Sequence, residues 1–190
     1  MKLQIDDLVK VRLAKPQDRD DIIRIQLSAL KILAAKDYNQ EQLDALLKSK
    51  SMPRNSDEMI FIAEIDGRSI GFASLLYPFN TIGAMFVDPD FARRGVGSKL
   101  LQILEQEAMG HKVSILWVCS SLTGHPLYLA NGYRTLRSTV FPLYSTYIPC
   151  KQMKKRILPL TPKEVFDEMS QFVMAMGAMI LVVSFFSHIR

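Results

Sequence analysis

Between Met85 and Leu101 the chain reads MFVDPDFARRGVGSKLL, and here residue types and spacing point to chemistry. Strand-forming residues run into a turn at Asp88-Pro89. A glycine loop with two arginines follows, and apolar residues at helical spacing begin directly behind it. Such a loop aims several backbone N–H groups at one anion, and the helix N-terminus adds partial positive charge at the same point. Gly95 and Gly97 let the backbone approach a ligand closely. Arg93 and Arg94 add full charges that suit phosphate. The residues alone predict a phosphate or pyrophosphate cradle; read blandly, they are a glycine-rich turn with solvated arginines. Neither Gly-x-x-x-x-Gly-Lys-Ser/Thr nor Gly-x-Gly-x-x-Gly occurs, so the loop is neither a P-loop nor a dinucleotide fingerprint.

A second stretch, Tyr128-Leu129-Ala130-Asn131-Gly132-Tyr133, follows a strand and a short helical pattern. Together the two stretches resemble the GNAT superfamily of acetyltransferases. Its loop motif, Q/R-x-x-G-x-G/A, aligns with Ala92-Arg93-Arg94-Gly95-Val96-Gly97, with Ala92 in the place of Gln or Arg. Its Tyr-x-x-x-Gly-Phe block resembles the segment opened by Tyr128, and Ser121 stands where the family often has Asn. The segment from Tyr147 to Lys155 is similar to the family's final strand. The resemblance covers roughly Val9 to Ile157.

The resemblance implies that backbone amides of Arg93, Arg94, Gly95, Val96, Gly97 and Ser98 hold the pyrophosphate of acetyl-CoA. It implies that Phe86 and Val87 pair with the pantetheine arm, with the Phe86 N–H polarising the thioester carbonyl. It makes Tyr128 the general acid that protonates the departing thiolate. It also puts Tyr38, between the first two helices, where relatives shape the acceptor pocket; core packing of that ring is the alternative. The reaction implied is direct attack by an amine on acetyl-CoA, with no covalent enzyme intermediate and no metal.

A general base is not legible. Thr81 to Phe86 has no carboxylate where many relatives carry Glu. Glu64 and Asp88 are candidates by location; a solvated strand residue and a turn cap are their plain readings. His125 at a helix start reads as a cap or surface histidine. Cys119, in the apolar run VSILWVC, reads as a buried structural thiol. The alternative to an enzyme is a catalytically weak CoA-binding module, motivated by the missing base and by Ala92 and Ser121.

These residues need a scaffold. Val9 to Leu13 reads as a strand, Pro16 opens a helix with Asp18, Asp20 and Asp21 in its first turn, and Gln40 to Lys48 is a second helix. MIFIAEI, Asp66-Gly67 and SIGFASLLY predict a hairpin, since Asp-Gly suits the positive backbone angles of a tight turn. Further strands are predicted at Thr81 to Val87, Val113 to Cys119, Tyr133 to Phe141 and Thr146 to Met153. Helices are predicted at Gly97 to Met109 and Gly124 to Ala130, the latter stopped by Asn131-Gly132. The pattern is an α+β fold with a mixed central sheet flanked by helices.

The 190 residues suit one core, with 1–157 as the acyltransferase domain and 158–190 as an extension. A net charge of +5 suits an anionic ligand, a membrane surface or nucleic acid equally. No long basic stripe with interleaved aromatics is present, which argues against nucleic acid. Two cysteines and a polar MKLQIDDLVK opening predict a cytoplasmic protein without a disulfide framework. Beyond the break at Pro159 to Pro162, Thr161 and Glu164 mark a helix start, and residues 169–188 carry no formal charge. This apolar helix is marginal in length for a bilayer; it reads either as a membrane tether or as a surface packed on the domain or on a second subunit. The acceptor expected is a small-molecule or protein amine.

Overall fold

The computed structural model describes residues 8–49, 58–76, 80–167, 169–171 and 174. The residue types Pro53, Asn55 and Ser56 predict a loop over residues 50–57, which lie outside the described residues. The chain divides into two compact units, Met1–Ile157 and Leu158–Arg190.

In the first unit, strand β1 (Lys10–Leu13) leads through a 3-10 turn at Pro16–Asp18 into helix α1 (Arg19–Ile32), and helix α2 is Gln40–Lys48. The hairpin is present: β2 (Glu58–Ile65) and β3 (Arg68–Leu76) are joined by Asp66 and Gly67, both at positive φ (48° and 77°). This is the geometry a tight antiparallel turn requires. Then come β4 (Thr81–Val87), helix α3 (Val96–Gly110), β5 (Ile115–Ser121), short helix α4 (His125–Ala130), β6 (Arg134–Leu143) and β7 (Thr146–Arg156). The strands form one sheet in the order β1-β2-β3-β4-β5-β7-β6. Only β4 and β5 run parallel; every other neighbouring pair is antiparallel.

Alternation along the strands gives the sheet two apolar faces. On one, Leu100, Leu101, Leu104 and Ala108 of α3 pack against Ile70, Ala73, Leu75, Leu116, Val118 and Met153. On the other, Ile22 and Ile25 of α1 meet Ile62 and Phe72, while Leu30, Ala34 and Tyr38 meet Ile148 of β7. Burying each large aliphatic side chain is worth about 1.5–3 kcal/mol.

Local chemistry fixes where the helices begin. Asn39 caps α2 by accepting from the Gln42 N–H (2.9 Å), and the Gln42 side chain accepts from the Asn39 N–H (3.2 Å). At the start of α1, Asp18 accepts from both Arg12 Nη atoms (2.8 and 2.9 Å) and from the Lys15 N–H (2.6 Å). Arg12 also reaches Glu64 on β2 (2.9 Å), so one guanidinium joins β1, β2 and α1.

In the second unit, residues 162–167 are helical. Thr161 and Glu164 cap this start reciprocally: the Thr161 N–H donates to Glu164 (2.8 Å) and the Glu164 N–H to Thr161 Oγ1 (3.2 Å). The apolar helix expected over 169–188 lies largely outside the described residues. Among the described residues no helix is long and apolar enough to cross a membrane.

The Arg12 hydrogen bonds hold the Asp18 carboxyl down at about 2 against the opposing effect of burial, with help from the Lys15 amide. A depressed carboxylate pKa contributes stability that is complete above the unfolded value and is lost as pH falls through the folded one. Urea titrations should lose about 2 kcal/mol from this group between roughly pH 4 and pH 2. Asp18→Asn should remove that part of the pH dependence; an unchanged acid limb would show that Asp18 is not its source.

Candidate active site

The parallel pair β4–β5 is held only at Thr81↔Trp117 and Ile82↔Val118. Each strand has seven residues, and each keeps its outer partner: β4 pairs with β3 up to Val87, and β5 with β7 from Ile115 to Ser121. The two strands therefore splay toward their carboxyl ends, leaving a gap between Gly83–Val87 and Cys119–Ser121. Below the splay, the Trp117 N–H donates to the Asn80 carbonyl (3.1 Å).

A bulge at Gly83 decides what faces the gap. Ser74 lies opposite Ala84 but Leu75 opposite Ile82, so Gly83 is the extra residue and the strand changes parity there. Beyond it, the Asp88 N–H donates to the Ile70 carbonyl (2.8 Å), and in the same register Phe86 lies opposite Phe72. This corrects the expectation for Phe86. Its amide points into the β3 ladder, and its ring packs 5.4 Å from that of Phe72. The main-chain groups turned toward the gap are those of Met85 and Val87.

After Val87 the chain is anchored by Asp88, which is 5% exposed. Its Oδ1 accepts from the Asp90 N–H (3.1 Å), and its Oδ2 from Arg24 (3.1 Å) and Arg68 (3.3 Å). Arg24 in turn donates to the Ser69 carbonyl (2.8 Å) and to Asp21 (2.9 Å). The loop then leaves a 3-10 turn at Pro89–Phe91 and carries Arg93 at φ 58° and Gly95 at φ 90° into α3. Gly95 is the N-cap, and no side chain caps the helix there. The first-turn amides of Val96, Gly97 and Ser98 thus lack the capping that Asn39 gives α2. Arg93, Arg94 and Gly95 are exposed, while the Val96 side chain is buried, so Val96 can offer a ligand only its main chain.

Tyr128 stands beside this loop. Helix α4 ends with the Tyr133 N–H donating to the Tyr128 carbonyl (3.0 Å) and the Gly132 N–H to the Leu129 carbonyl (3.1 Å), a Schellman stop. The Tyr128 ring is 4% exposed and meets Tyr133 edge to face at 5.4 Å. Among the described residues its hydroxyl makes no hydrogen bond, and burial pushes its pKa well above the usual phenol range. Asn131 ties the two helices together, donating to Ser98 Oγ (3.2 Å) and to the Leu127 carbonyl (2.8 Å). Gly97 permits that approach: a Cβ there would lie 3.1 Å from Leu127.

The turn between β5 and α4 is held from the opposite face of the sheet. The Leu122 N–H donates to the Tyr38 hydroxyl (2.8 Å), which donates to the Pro149 carbonyl (3.3 Å). Thr123 Oγ1 donates to Asp37 (2.6 Å). Tyr38 is 7% exposed, so its hydroxyl is committed to main chain.

The proposed bases have other partners. Glu64 is bound to Arg12, in a strand two removed from β4, and both Asp88 oxygens are engaged. His125 Nε2 lies 2.9 Å from Thr135 Oγ1. The expectation for Cys119 is corrected: it is exposed, because its position in β5 faces away from the α3 core that takes Leu116 and Val118. Cys150, on the same face one strand over, is buried, and its thiol is pushed up to about 12 by burial and by the Cys119 thiol. Among the described residues no group of three or more His, Cys, Asp or Glu could hold a metal ion. Sequence reasoning missed the Met85 amide, the Arg24–Asp88–Arg68 anchor and the Asn131–Ser98 tie. Asn131 was legible only as a helix stop, and no local signal marks the other two.

The family model described as an acetyltransferase (GNAT) domain matches residues 34–157. An uncharacterized N-acetyltransferase of Escherichia coli, YafP, is 27% identical over 132 residues, covering 68% of this chain and 83% of its own. A GCN5-related N-acetyltransferase structure from Rhodopseudomonas palustris superposes with a TM-score of 0.72 at 28% identity, covering 77% of this chain and 94% of its own. The PaiA N-acetyltransferase of Thermoplasma acidophilum, solved in complex with coenzyme A, has the same fold (TM-score 0.61, 18% identity, 78% and 98% covered).

Asp88→Ala strips two arginines and a turn amide of their acceptor and should cost about 2 kcal/mol in urea unfolding; a loss under about 0.5 kcal/mol would mean the anchor is replaced by water. A disulfide reagent should modify Cys119 rapidly in the folded chain and Cys150 only on unfolding. Two equally fast thiols would contradict the assigned burial.

Proposed function

Since the chain belongs to the GNAT acetyltransferase family, we propose that it transfers an acetyl group from acetyl-CoA to a primary amine by direct attack. The observation that carries this reading is the splay of β4 from β5 at the place where the uncapped N-terminus of α3 begins. The gap is open where main-chain donors and acceptors of Met85 and Val87 point into it, as an extended pantetheine arm would need. The coenzyme A bound in the PaiA structure makes that molecule the natural occupant here as well.

In this reading the amides from Arg93 to Ser98 hold the pyrophosphate, with Arg93 and Arg94 adding charge at the exposed rim. A gap-facing amide of β4 stabilises the oxyanion as the amine nitrogen bonds to the thioester carbon. As the C–S bond breaks, the sulfur keeps the electron pair and takes the proton of the Tyr128 hydroxyl. The amine's surplus proton leaves to solvent, and Tyr128 is reprotonated from water. Burial suits Tyr128 to this role because it keeps the phenol protonated at neutral pH. Tyr38 walls the acceptor side through its ring, its hydroxyl being committed elsewhere.

Tyr128→Phe should lower kcat about 100-fold or more while leaving acetyl-CoA affinity unchanged. Calorimetry and single-turnover acetylation of an amine panel measure the two parts separately. Full activity in the variant would remove Tyr128 as the acid. A folded chain that binds no acetyl-CoA would sink the whole reading, and binding without turnover by the native chain would favour a CoA-binding module.

A further inference from the structure

On the face of the sheet opposite α3, next to the splay, lies a group of cations that no anion among the described residues answers. Residues directly across a ladder share a face. Trp117 of β5 therefore shares one with Lys154 of β7 and Arg134 of β6, and Cys119 shares it with Gln152 and Arg137 one row further on. The Lys154 ammonium sits 5.3 Å from the centre of the Trp117 ring. Arg137 donates to Gln152 (2.8 Å) rather than to a carboxylate. Arg134 and Arg137 are exposed, Trp117 and Lys154 half-buried. Among the described residues no carboxylate pairs with Arg134, Arg137 or Lys154. Arg134 and Lys154 are direct cross-strand neighbours, an arrangement of like charges that works against the ladder.

The patch runs straight into the site. Gly83 and Cys119, the first residues past the last β4–β5 pairing, are both exposed. Trp117 lies within that pairing. The patch spans three adjacent strands, about 10 Å across, with its cations on β6 and β7 in two rows about 7 Å apart along the strands. An extended peptide places every second side chain at that same 7 Å interval. A single small amino acid cannot reach both rows.

We propose that this face docks the acceptor, and that the acceptor is an extended peptide with acidic side chains at alternate positions, its free amino group directed into the splay. The proposal deepens the acetyltransferase reading and rests on it for the role of the bound peptide. The binding itself does not depend on that reading.

Trp117 is the only tryptophan of the chain, so its emission reports on this patch and nothing else. The full-length protein would be titrated with a hexapeptide of alternating serine and aspartate, with its asparagine counterpart, with free aspartate and with a single-stranded oligonucleotide. The expected result is a saturable change with the aspartate peptide alone. It should weaken at least about tenfold in 0.5 M salt and by a similar factor in Arg134→Ser/Arg137→Ser, whose exposed side chains are not needed for the core. Acetyl-CoA should still bind that variant, and acetyl transfer to the aspartate peptide should exceed transfer to the asparagine peptide. An equal response to the asparagine peptide overturns the proposal. So does tighter binding of free aspartate or of the oligonucleotide, or a bound aspartate peptide left unacetylated while other amines are turned over. Failure of acetyl-CoA to bind would count instead against the acetyltransferase reading, leaving the fluorescence result to decide the docking.

Discussion

Every backbone N–H and C=O inside a sheet must find a partner, and this fold is arranged around a place where two adjacent strands stop supplying them. Beyond Ile82 and Val118, β4 and β5 no longer pair, although both remain locked to their outer neighbours. Closing the gap would require one strand to leave its antiparallel partner. Those ladders, together with the α3 core packed across Leu75, Ile82, Leu116 and Val118, keep the mouth open. The unmet groups are therefore a fixed property of the scaffold, present before any ligand arrives.

The anchors around the gap hold both of the strands that border it. On one side Asp88 gathers Arg24 and Arg68 and holds the exit of β4, so the strand that faces the gap and the loop behind it share one support. On the other, Asp37 and Tyr38 hold the turn that leads from β5 to the helix of Tyr128. Asn131 then joins that helix to Ser98 in the first turn of α3. A shift in any one of these would change the separation of loop, strand and phenol together, because each tie connects two of the elements that border the gap.

What was legible in the sequence follows from the range of the forces involved. Helix α2 was found residue for residue because its cap, its amphipathic spacing and its end are local. The Asp66-Gly67 hairpin was legible for the same reason, the turn alone fixing its register. The arginine–glycine loop was legible because a turn that runs straight into a helix is contiguous in the chain. The gap-facing amides were not, because a single bulged residue at Gly83 reverses strand parity, and that depends on how β4 sits against Ser74 and Leu75. Cys119 was misread for a similar reason. Its neighbours are all strand formers, and only the pairing shows that one face of the run is covered by α3 while the position of Cys119 is open.

The state of Tyr128 tells most about how stability and chemistry are balanced here. Among the described residues the fully buried hydroxyls without a partner are those of Tyr133 and Ser74, and that of Tyr128 is not one of them. A phenylalanine in its place would pack the same ring against Tyr133. The chain instead keeps a phenol whose proton is held firmly by burial and whose oxygen no described side chain engages. The asymmetry with Tyr38 is instructive: that hydroxyl is equally well placed on a short loop, yet it both accepts and donates, and so is structural. Of the two tyrosines bordering the turn after β5, only Tyr128 has a hydroxyl left for a ligand, and it lies on the α3 side, where the uncapped amides of Val96, Gly97 and Ser98 are.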